Sequence, residues 1–423
     1  MSSSMQVNRL AENIRHSNRV TFLTSVFKKG LKSKLSNLVE GYITVRDGEE
    51  SFSFGNSKSD FKAKVDIHSQ EFYTMTGSGG ALGIAEAYIL GFWSADDVVV
   101  LMRILLKNRS ILLSINNGLA KILNPINRII HKSRQNTLSG SKDNILAHYD
   151  LSNKFYELWL DPSMTYSCAY FSSPDSKLED ASIEKLDRIC RKLKLSDKDN
   201  ILEIGTGWGS FSIHAAKNYG CQVTTTTISD AQYEYAKSRI IEEGLDSKIK
   251  IINKDYRTLE GFYDKIVSIE MIEAVGYEFI PVYFKKLSSL LKPNGLMALQ
   301  GITYNDQNFD SYKDSVDFIK KYIFPGSCLI SVSQIIDVIK TKTDLSMIDM
   351  EDITRHYAET LKRWRNNFMK VLPQVKEMGY SQSFIKMWEF YFLYCEAGFL
   401  ERNIGDVQMV FAKSGARDIN VEY

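Results

Sequence analysis

The stretch ILEIGTGWGSFSIHAAKNYG, residues 201–220, carries the strongest fold signal of this chain. Its apolar start predicts a short strand, which runs into Gly205, Gly207 and Gly209 and then into a helix. Glycine at such a bend lets the backbone pass close to a ligand, and the first turn of the helix offers free N–H groups. The spacing GxGxG favours a methyltransferase over a dehydrogenase, whose fingerprint is GxGxxG, although an ordinary tight turn gives the same pattern.

Short strands and helices alternate on both sides of this loop, from about residue 144 to 300. After the loop, CQVTTTTIS, IKIINKD, YDKIVSIEM and GLMALQGIT predict strands, and stretches such as DAQYEYAKSRIIEEG predict the helices between them. Strands that alternate with helices predict a mostly parallel sheet with helices on both faces. In such sheets a ligand lies outside the carboxyl ends of the strands.

Candidate ligand contacts follow the next two strands. Thr227, the Ile228 backbone and Gln232 offer hydrogen bonds at a strand end that carries no acidic residue. Tyr256 follows the third strand, where an adenine base would lie and could stack. The alternative for the first group is a β-branched strand followed by Ser229 as an ordinary helix N-cap.

The first third of the chain predicts a smaller α+β domain. GYITVRDGEESFSFG predicts a hairpin that turns at Asp47-Gly48, and FKAKVDIHSQEFY predicts further strand. GGALGIAEAYILGFW and DDVVVLMRILLKN predict helices, the second with Asp96 or Ser94 as N-cap.

A polar stretch, KSRQNTLSGSKD at residues 132–143, predicts a linker. We therefore predict an N-terminal domain over 1–135, for lipid contact or dimerisation, and a catalytic domain over 136–423 that ends in aromatic-rich helices.

The amino-acid composition excludes several classes of function. The net charge of +2 argues against a nucleic-acid binder that acts through overall charge. Five cysteines without a CxxC pair argue against a disulfide framework or a zinc site and fit a reducing cytosol. The start of the chain lacks the apolar core of a signal peptide, and Arg103 interrupts the most apolar run, VVVLMRILL. We expect a cytoplasmic protein that meets lipid only at a membrane surface.

One basic, amphipathic stretch suits such contact. Four lysines lie beside an apolar face, which predicts a helix lying on an anionic bilayer. The lysines are Lys28, Lys29, Lys32 and Lys34, and the apolar residues are Phe22, Leu23, Val26, Phe27, Leu31 and Leu35. The alternative is a surface helix that docks on the protein itself.

Several motifs in a fixed order resemble one family. They are HYDLSNKFYELWLDPSMTYSCAYF (148–171), EIGTGWG (203–209), SIEMIEAVG (268–276), KYIFPGSCLIS (321–331), HYAETLKRW (356–364) and YCEAGFLERNIGDVQMVFAK (394–413). Over roughly residues 144–415 the chain resembles the cyclopropane fatty acid synthases and mycolic acid cyclopropane synthases. The segment GGALGIAEAYILGFW resembles the N-terminal domain of the longer bacterial synthases, which implies a possible homodimer. The resemblance implies a Rossmann-like class I methyltransferase core with a mostly parallel, seven-stranded sheet.

The resemblance also implies a reaction. The family transfers a methyl group from S-adenosylmethionine to a cis double bond of a phospholipid acyl chain. The resulting carbocation loses a proton to bicarbonate, and a cyclopropane ring closes. By motif match, the cofactor contacts are Tyr166, Ser167, Gly205, Gly207, Thr227, Ile228, Gln232 and Tyr256. The residues around the bicarbonate are Cys168, Glu273, Ile302 and Tyr357.

The sequence departs from the family at one strand. The family's usual pattern there is a histidine followed two residues later by isoleucine, whereas this chain has Gln300-Gly301-Ile302. Glutamine holds an anion but carries no proton near neutral pH. Glu270, three residues before Glu273, either substitutes for the bicarbonate or repels it. A methyl- or methylene-branched product therefore competes with the cyclopropane.

Three further interpretations stay open. Aromatic residues suit a cationic reaction but equally suit core packing; they include Phe155, Tyr156, Trp159, Trp208, Phe384, Trp388, Phe392 and Phe399. Cys395 is a candidate nucleophile, but methyl transfer to an alkene needs no covalent intermediate, which favours a structural role. A small-molecule methyltransferase and a lipid-binding protein without activity are the competing functions.

Overall fold

The computed structural model describes residues 22–116 and 151–417, which divide into two compact units. Unit 1 holds the described residues before 117 together with 314–325 and 364–403, and unit 2 holds the rest. The predicted linker and the predicted boundary at 135 lie outside the described residues. The division differs from the predicted one, because the aromatic-rich C-terminal helix groups with the N-terminal residues and not with the catalytic core.

In chain order, the helices are α1 (Phe22–Leu35), α2 (Glu71–Ile89), α3 (Val98–Lys107), α4 (Arg109–Asn116), α5 (Asn153–Glu157), α6 (Leu178–Lys192), α7 (Ser210–Tyr219), α8 (Asp230–Glu242), α9 (Ile280–Leu290), α10 (Phe309–Lys313), α11 (Val332–Lys342), α12 (Thr354–Lys370), α13 (Leu372–Glu377) and α14 (Gln382–Leu400). A π-helical turn spans Ile319–Ile323. Within the described ranges no helix combines the length and the apolar character needed to cross a membrane.

The strands form two separate sheets. They are β1 (Tyr42–Asp47), β2 (Glu50–Gly55), β3 (Lys62–Ile67), β4 (Trp93–Ala95), β5 (Asn200–Ile204), β6 (Gln222–Thr227), β7 (Ile249–Asn253), β8 (Tyr263–Ile269), β9 (Leu291–Tyr304), β10 (Leu345–Asp352) and β11 (Ile404–Lys413). The first four make the sheet of unit 1 in the order β2-β1-β3-β4, and the other seven make the sheet of unit 2.

Unit 1 contains the predicted hairpin and corrects two local predictions. β1 and β2 pair antiparallel with Asp47 opposite Glu50, and Gly48 turns the chain with a φ of 61°. The strand predicted through FKAKVDIHSQEFY ends at Ile67, because a helix already begins at Glu71. The N-cap of α3 is Asp97, not Asp96 or Ser94, since its carboxylate accepts from the Val100 N–H at 2.9 Å.

Unit 2 contains a seven-stranded, largely parallel sheet in the order β10-β11-β9-β8-β5-β6-β7. The five strands from β9 to β7 in this order run parallel, and β11 and β10 join antiparallel at one edge. This arrangement agrees with the predicted fold. It brings the carboxyl ends of β5, β6 and β8 to one edge, so that the residues that follow these strands lie together.

The centre of this sheet is apolar on both faces. Leu202 of β5 packs in one buried cluster with Ile266 and Phe284, and its neighbour Ile201 packs in the other with Ile189 and Phe211. Successive strand residues point to opposite faces, so a continuous apolar run requires helices on both sides. Helix α9 supplies Phe284 to one face, and α6 and α7 supply the partners on the other.

Candidate active site

The glycine loop after β5 leaves an open face for a ligand. Gly205 and Gly207 have φ angles of 99° and 53°, which favour glycine over other residues. The Gly205 N–H donates to the Thr226 carbonyl at 3.0 Å, which fixes the turn against β6. A Cβ at Gly207 would meet nothing within 4 Å, whereas a Cβ at Gly205 would lie 3.1 Å from the Met271 side chain. The loop is therefore packed against Met271 at Gly205 and open at Gly207, which is compatible with the predicted approach of a ligand.

Aromatic rings lie beside this loop. Tyr156 is 4.9 Å from the ring of Trp208 in the loop and 5.5 Å from that of Tyr166, between ring centroids. Trp159 lies 5.6 Å from Tyr166 in an edge-on contact. Arg239 binds the two segments together by donating to the Ser163 and Trp208 carbonyls at 3.0 and 2.8 Å. The predicted cofactor contact Tyr166 thus stands in an aromatic cluster next to the glycine loop.

At the end of β6, the polar candidates are bonded to one another. The Thr227 hydroxyl donates to the Gln232 side-chain oxygen at 3.0 Å, and both residues are buried. Ser229 caps α8 by accepting from the Gln232 N–H at 3.3 Å, so the N-cap alternative holds for this residue. Ile228 is half-buried between them.

Tyr256 follows β7 and is largely buried. Its ring meets Tyr283 edge-on at 5.2 Å, and the guanidinium of Arg257 lies 5.4 Å from its centroid. Burial raises the pKa of its hydroxyl to about 12, so the ring stays neutral. A neutral aromatic face at this strand end is compatible with the predicted stacking on a base.

Glu270 is the centre of the second half of the site. It follows β8 with a φ of 49°, unusual for a residue with a side chain. Its Oε1 accepts from the Cys168 backbone N–H and from the Gln300 side-chain amide, both at 2.8 Å. Its Oε2 accepts from the Tyr357 hydroxyl at 2.6 Å. Three predicted site residues from distant parts of the chain therefore converge on one carboxylate, which the sequence marks as an additional acid that either substitutes for the bicarbonate or repels it.

The expected bicarbonate does not fit this arrangement. A bound bicarbonate needs donors, and the Cys168 N–H, the Gln300 amide and the Tyr357 hydroxyl already donate to Glu270. The negative charge that the cluster already carries on Glu270 also disfavours a second anion beside it. The carboxylate of Glu270 occupies the position at which these donors would hold the anion.

Glu273 lies in the short helical turn after β8. Its Oε1 accepts from the backbone N–H of Ile302, and its carbonyl accepts from the Cys328 N–H at 2.9 Å. Burial, followed by the nearby charge of Glu270, raises the pKa of this carboxyl to about 8. Glu273 is therefore largely protonated at neutral pH, and it holds Ile302 through the backbone.

Sequence reasoning missed two buried charged residues of this cluster. Asp406 on β11 is fully buried and accepts from the Gln300 amide at 3.1 Å, which makes this amide a bridge between Asp406 and Glu270. Lys185 on α6 is also fully buried, and its ammonium donates to the Ser167 hydroxyl at 2.6 Å. Lys185 lies outside the quoted motifs, Asp406 lies in the motif of residues 394–413 without being singled out there, and only the paired sheet brings Asp406 beside Gln300.

The ionisable groups in the cluster shift one another's pKa values. Burial raises the pKa of Asp406 well above its usual range, and the neighbouring acids add to the shift. Burial also raises the pKa of Glu270, but Lys185 and the Tyr357 hydroxyl oppose this shift. Burial lowers the pKa of the Lys185 ammonium, while the acids favour its charge. We therefore assign the proton to Asp406 and the negative charge to Glu270, balanced by Lys185.

The structure leaves one group of candidates outside this cluster. Cys395 is buried on α14 in unit 1, and burial raises the pKa of its thiol, which disfavours the nucleophilic thiolate. The late aromatics Phe384, Trp388, Phe392 and Phe399 are buried on the same helix. Phe392 lies 5.8 Å from Trp388 and 5.6 Å from Phe368, which is ordinary core packing within unit 1.

Known proteins are similar to this chain in sequence and in fold. The family described as mycolic acid cyclopropane synthetase matches residues 136–409. The tuberculostearic acid methyltransferase UfaA1 of Mycobacterium tuberculosis is 35% identical over 80% of each chain. The cyclopropane-fatty-acyl-phospholipid synthase of Escherichia coli K12 is 33% identical over 85% of this chain and 90% of its own.

A solved structure gives the same result for the core. Mycolic acid cyclopropane synthase CmaA1, complexed with SAH and CTAB, is similar with a TM-score of 0.60 and 27% identity, covering 64% of this chain and 98% of its own. This likeness confirms the predicted class I methyltransferase fold.

Proposed function

The chain belongs to the mycolic acid cyclopropane synthetase family of S-adenosylmethionine-dependent methyltransferases, and on that basis we propose that it methylates the cis double bond of unsaturated phospholipid acyl chains. The product that we propose is the cyclopropane. The convergence of Tyr357, Gln300 and the Cys168 N–H on the Glu270 carboxylate carries this proposal, because it supplies a base inside the site.

The glycine loop and its aromatic neighbours bind the methyl donor. S-adenosylmethionine supplies an electrophilic methyl group on a positively charged sulfur. The open space at Gly207 lets the cofactor approach the backbone of the loop, and Tyr256 offers a neutral aromatic face to the adenine base. Tyr156 and Tyr166 stabilise a nearby positive charge, each by about 0.5–2 kcal/mol. The same rings exclude water, which would otherwise quench a carbocation on the acyl chain.

Glu270 takes the proton that the reaction releases. The π electrons of the double bond would form the new carbon–carbon bond to the methyl group while the methyl–sulfur bond breaks and its electron pair stays on the sulfur, which leaves a cation on the adjacent carbon of the acyl chain. A C–H bond of the added methyl group then breaks, its electron pair closes the ring, and Glu270 accepts the proton. Tyr357 and Gln300 hold the carboxylate in position, and the charge of Lys185 favours its ionised form against the effect of burial.

A branched product is the second candidate. If the proton leaves a chain carbon next to the cation, the electron pair forms a new double bond and the methyl group stays as a branch. A carboxylate fixed by three donors reaches only the protons on one side of the cation, so its position decides between the two products. The similarity to a tuberculostearic acid methyltransferase and to a cyclopropane-fatty-acyl-phospholipid synthase supports both outcomes.

The phospholipid is proposed to reach the enzyme at a membrane surface through α1. Phe22, Leu23 and Val26 on this helix are 84, 52 and 46% exposed. The lysines contribute less than their number suggests, because Lys28 pairs with Asp47 and Glu50. Contact through α1 is therefore expected to depend more on apolar insertion than on anionic lipid.

Mass spectrometry of the lipid product tests the proposal. Purified protein is incubated with S-adenosylmethionine and vesicles of a cis-monounsaturated phospholipid. A gain of one methylene group with loss of the double bond supports the cyclopropane, and the same gain with a retained double bond supports the branched product. Binding of the cofactor without any gain in lipid mass would overturn the proposal.

A further inference from the structure

The cofactor segment, residues 165–171, carries Tyr166 and Ser167, and the four backbone N–H groups of its second half, residues 168–171, all donate hydrogen bonds. The Cys168 N–H donates to Glu270 at 2.8 Å, and the Tyr170 N–H donates to the Ala181 carbonyl at 2.9 Å. The other two N–H groups of residues 168–171, those of Ala169 and Phe171, donate to side chains of α12.

Two residues of α12 receive these bonds. Thr360 Oγ1 accepts from the Ala169 N–H, and His356 Nδ1 accepts from the Phe171 N–H, both at 3.1 Å. The two side chains lie four residues apart and therefore share one face of the helix. Thr360 in turn donates to the His356 carbonyl at 2.7 Å, which orients its oxygen toward the segment. Tyr357, between them in sequence, contacts Glu270.

The imidazole of His356 is a conditional acceptor. Nδ1 accepts a hydrogen bond only while it carries no proton, so the bond to Phe171 requires the neutral ring. The ring is half-buried and stacks on Tyr170 with 4.1 Å between centroids. A proton from solvent therefore reaches the ring. Once Nδ1 carries a proton, it can no longer accept from the Phe171 N–H, and two N–H donors face each other.

Charged side chains from three elements lie near His356 or near the rings that it contacts. Arg188 of α6 lies 3.9 Å from the centroid of Tyr170, on which the imidazole also stacks, and it pairs with Glu351 of β10. Arg363, two turns along α12, lies 4.5 Å from the ring of Phe171. Burial is the main cause that lowers the pKa of His356; Arg188 adds to it and Glu351 opposes it. The ring is therefore neutral at pH 7, and it takes up a proton only at a pH below the usual range of a histidine.

We propose that His356 and Thr360 are positioning residues for the cofactor segment, and that protonation of His356 releases this segment and weakens cofactor binding. This inference rests on the proposed function, since Tyr166 and Ser167 are assigned to the cofactor there. Loss of one backbone hydrogen bond corresponds to a weakening of roughly three- to tenfold.

The test is the affinity for S-adenosylhomocysteine, measured by calorimetry between about pH 5 and pH 7.5. The wild type is expected to bind roughly three- to tenfold more weakly at the acid end. His356→Asn places an amide oxygen where Nδ1 lies and does not titrate, so its affinity should stay constant over the range. Thr360→Val should bind more weakly at every pH and keep the wild-type dependence.

A matched control separates this effect from general acid sensitivity. His214, on α7, is also half-buried with a pKa lowered by burial, but its partner is Asp187. His214→Asn should keep the wild-type pH dependence. A folded wild type whose affinity is the same at both ends of the range overturns the inference, whatever the variants do. A protein that binds no S-adenosylhomocysteine at any pH would overturn the proposed function as well.

Discussion

The hydroxyl of Tyr357 on α12 donates to Glu270 Oε2, after β8, across 2.6 Å. The two residues are 87 positions apart, and only the folded sheet with its covering helix brings them together. A bond from a neutral phenol to a carboxylate fixes the carboxylate and favours its charged form. In the proposed reaction, this pair therefore defines where the proton is accepted.

Removal of this phenol should slow catalysis without loss of the cofactor. For Tyr357→Phe we expect kcat to fall roughly 10- to 100-fold, because a hydrogen bond to a charged group contributes about 1.5–3 kcal/mol. The measurement is the rate of lipid methylation together with the Kd for S-adenosylhomocysteine. Tyr277→Phe, at an exposed tyrosine of the same unit, is the control that should leave both unchanged. An equal loss in both variants would contradict this role.

Neutralising Glu270 should have a larger effect. Glu270→Gln removes the base and gives a side chain that no longer accepts all three donors, so kcat should fall roughly 10²- to 10⁴-fold. Glu278→Gln, at an exposed glutamate a few residues later, controls for the loss of one acid. If Glu270→Gln keeps more than about half of the wild-type rate, Glu270 is not the proton acceptor.

The open face of Gly207 predicts a change in cofactor affinity. Gly207→Ala places a methyl group where the ligand approaches, and should weaken the binding of S-adenosylhomocysteine at least roughly tenfold. Gly244→Ala is a matched control, because Gly244 also has a positive φ, 67°, and open space around its Cβ position. Both variants should lose about 1–2 kcal/mol of stability from backbone strain, as calorimetric unfolding would measure. Only Gly207→Ala should lose affinity.

The raised pKa of Glu273 predicts a stability change with pH. A carboxyl with a pKa of about 8 in the folded state binds more protons folded than unfolded, where its value is near 4.5. The stability that this group contributes is therefore full below its unfolded pKa of 4.5. It is lost as the pH rises from there to the folded pKa of about 8, by about 1.4 kcal/mol for each pH unit. Glu273→Gln should unfold at higher urea than the wild type at about pH 8.5, with a smaller difference near pH 5. A difference that grows toward acid pH would contradict this assignment.

The sheet of unit 2 and its glycine loop were predictable because their signals are local. The apolar run ILEI, the bend at Gly205 and the helix that follows lie within one short stretch. The hairpin at Asp47-Gly48 was predictable for the same reason. The N-cap of α3 was wrong by one residue, since Asp96 and Asp97 are both good caps and only the backbone path selects Asp97.

The centre of the site was only partly predictable. Motif order pointed to Cys168, Tyr357 and the strand with Gln300, but not to the way in which they meet at Glu270. Lys185 carries no local signal, and the quoted motif that contains Asp406 does not mark it, because the importance of both residues comes from burial beside other charges. His356 stood in a quoted motif, yet its bond to the Phe171 N–H depends on the packing of α12 against a distant segment.

The bicarbonate dependence of the reaction tests whether Glu270 is the base. The wild type should methylate lipid equally fast in bicarbonate-depleted buffer and with added bicarbonate, since the Glu270 carboxylate accepts the proton. Glu270→Gly suits the positive φ at this position and frees the Tyr357 hydroxyl, the Gln300 amide and the Cys168 N–H to hold an anion. This variant should be inactive without bicarbonate and recover activity when bicarbonate is added. A wild type that loses its activity on bicarbonate depletion would show that Glu270 is not the base.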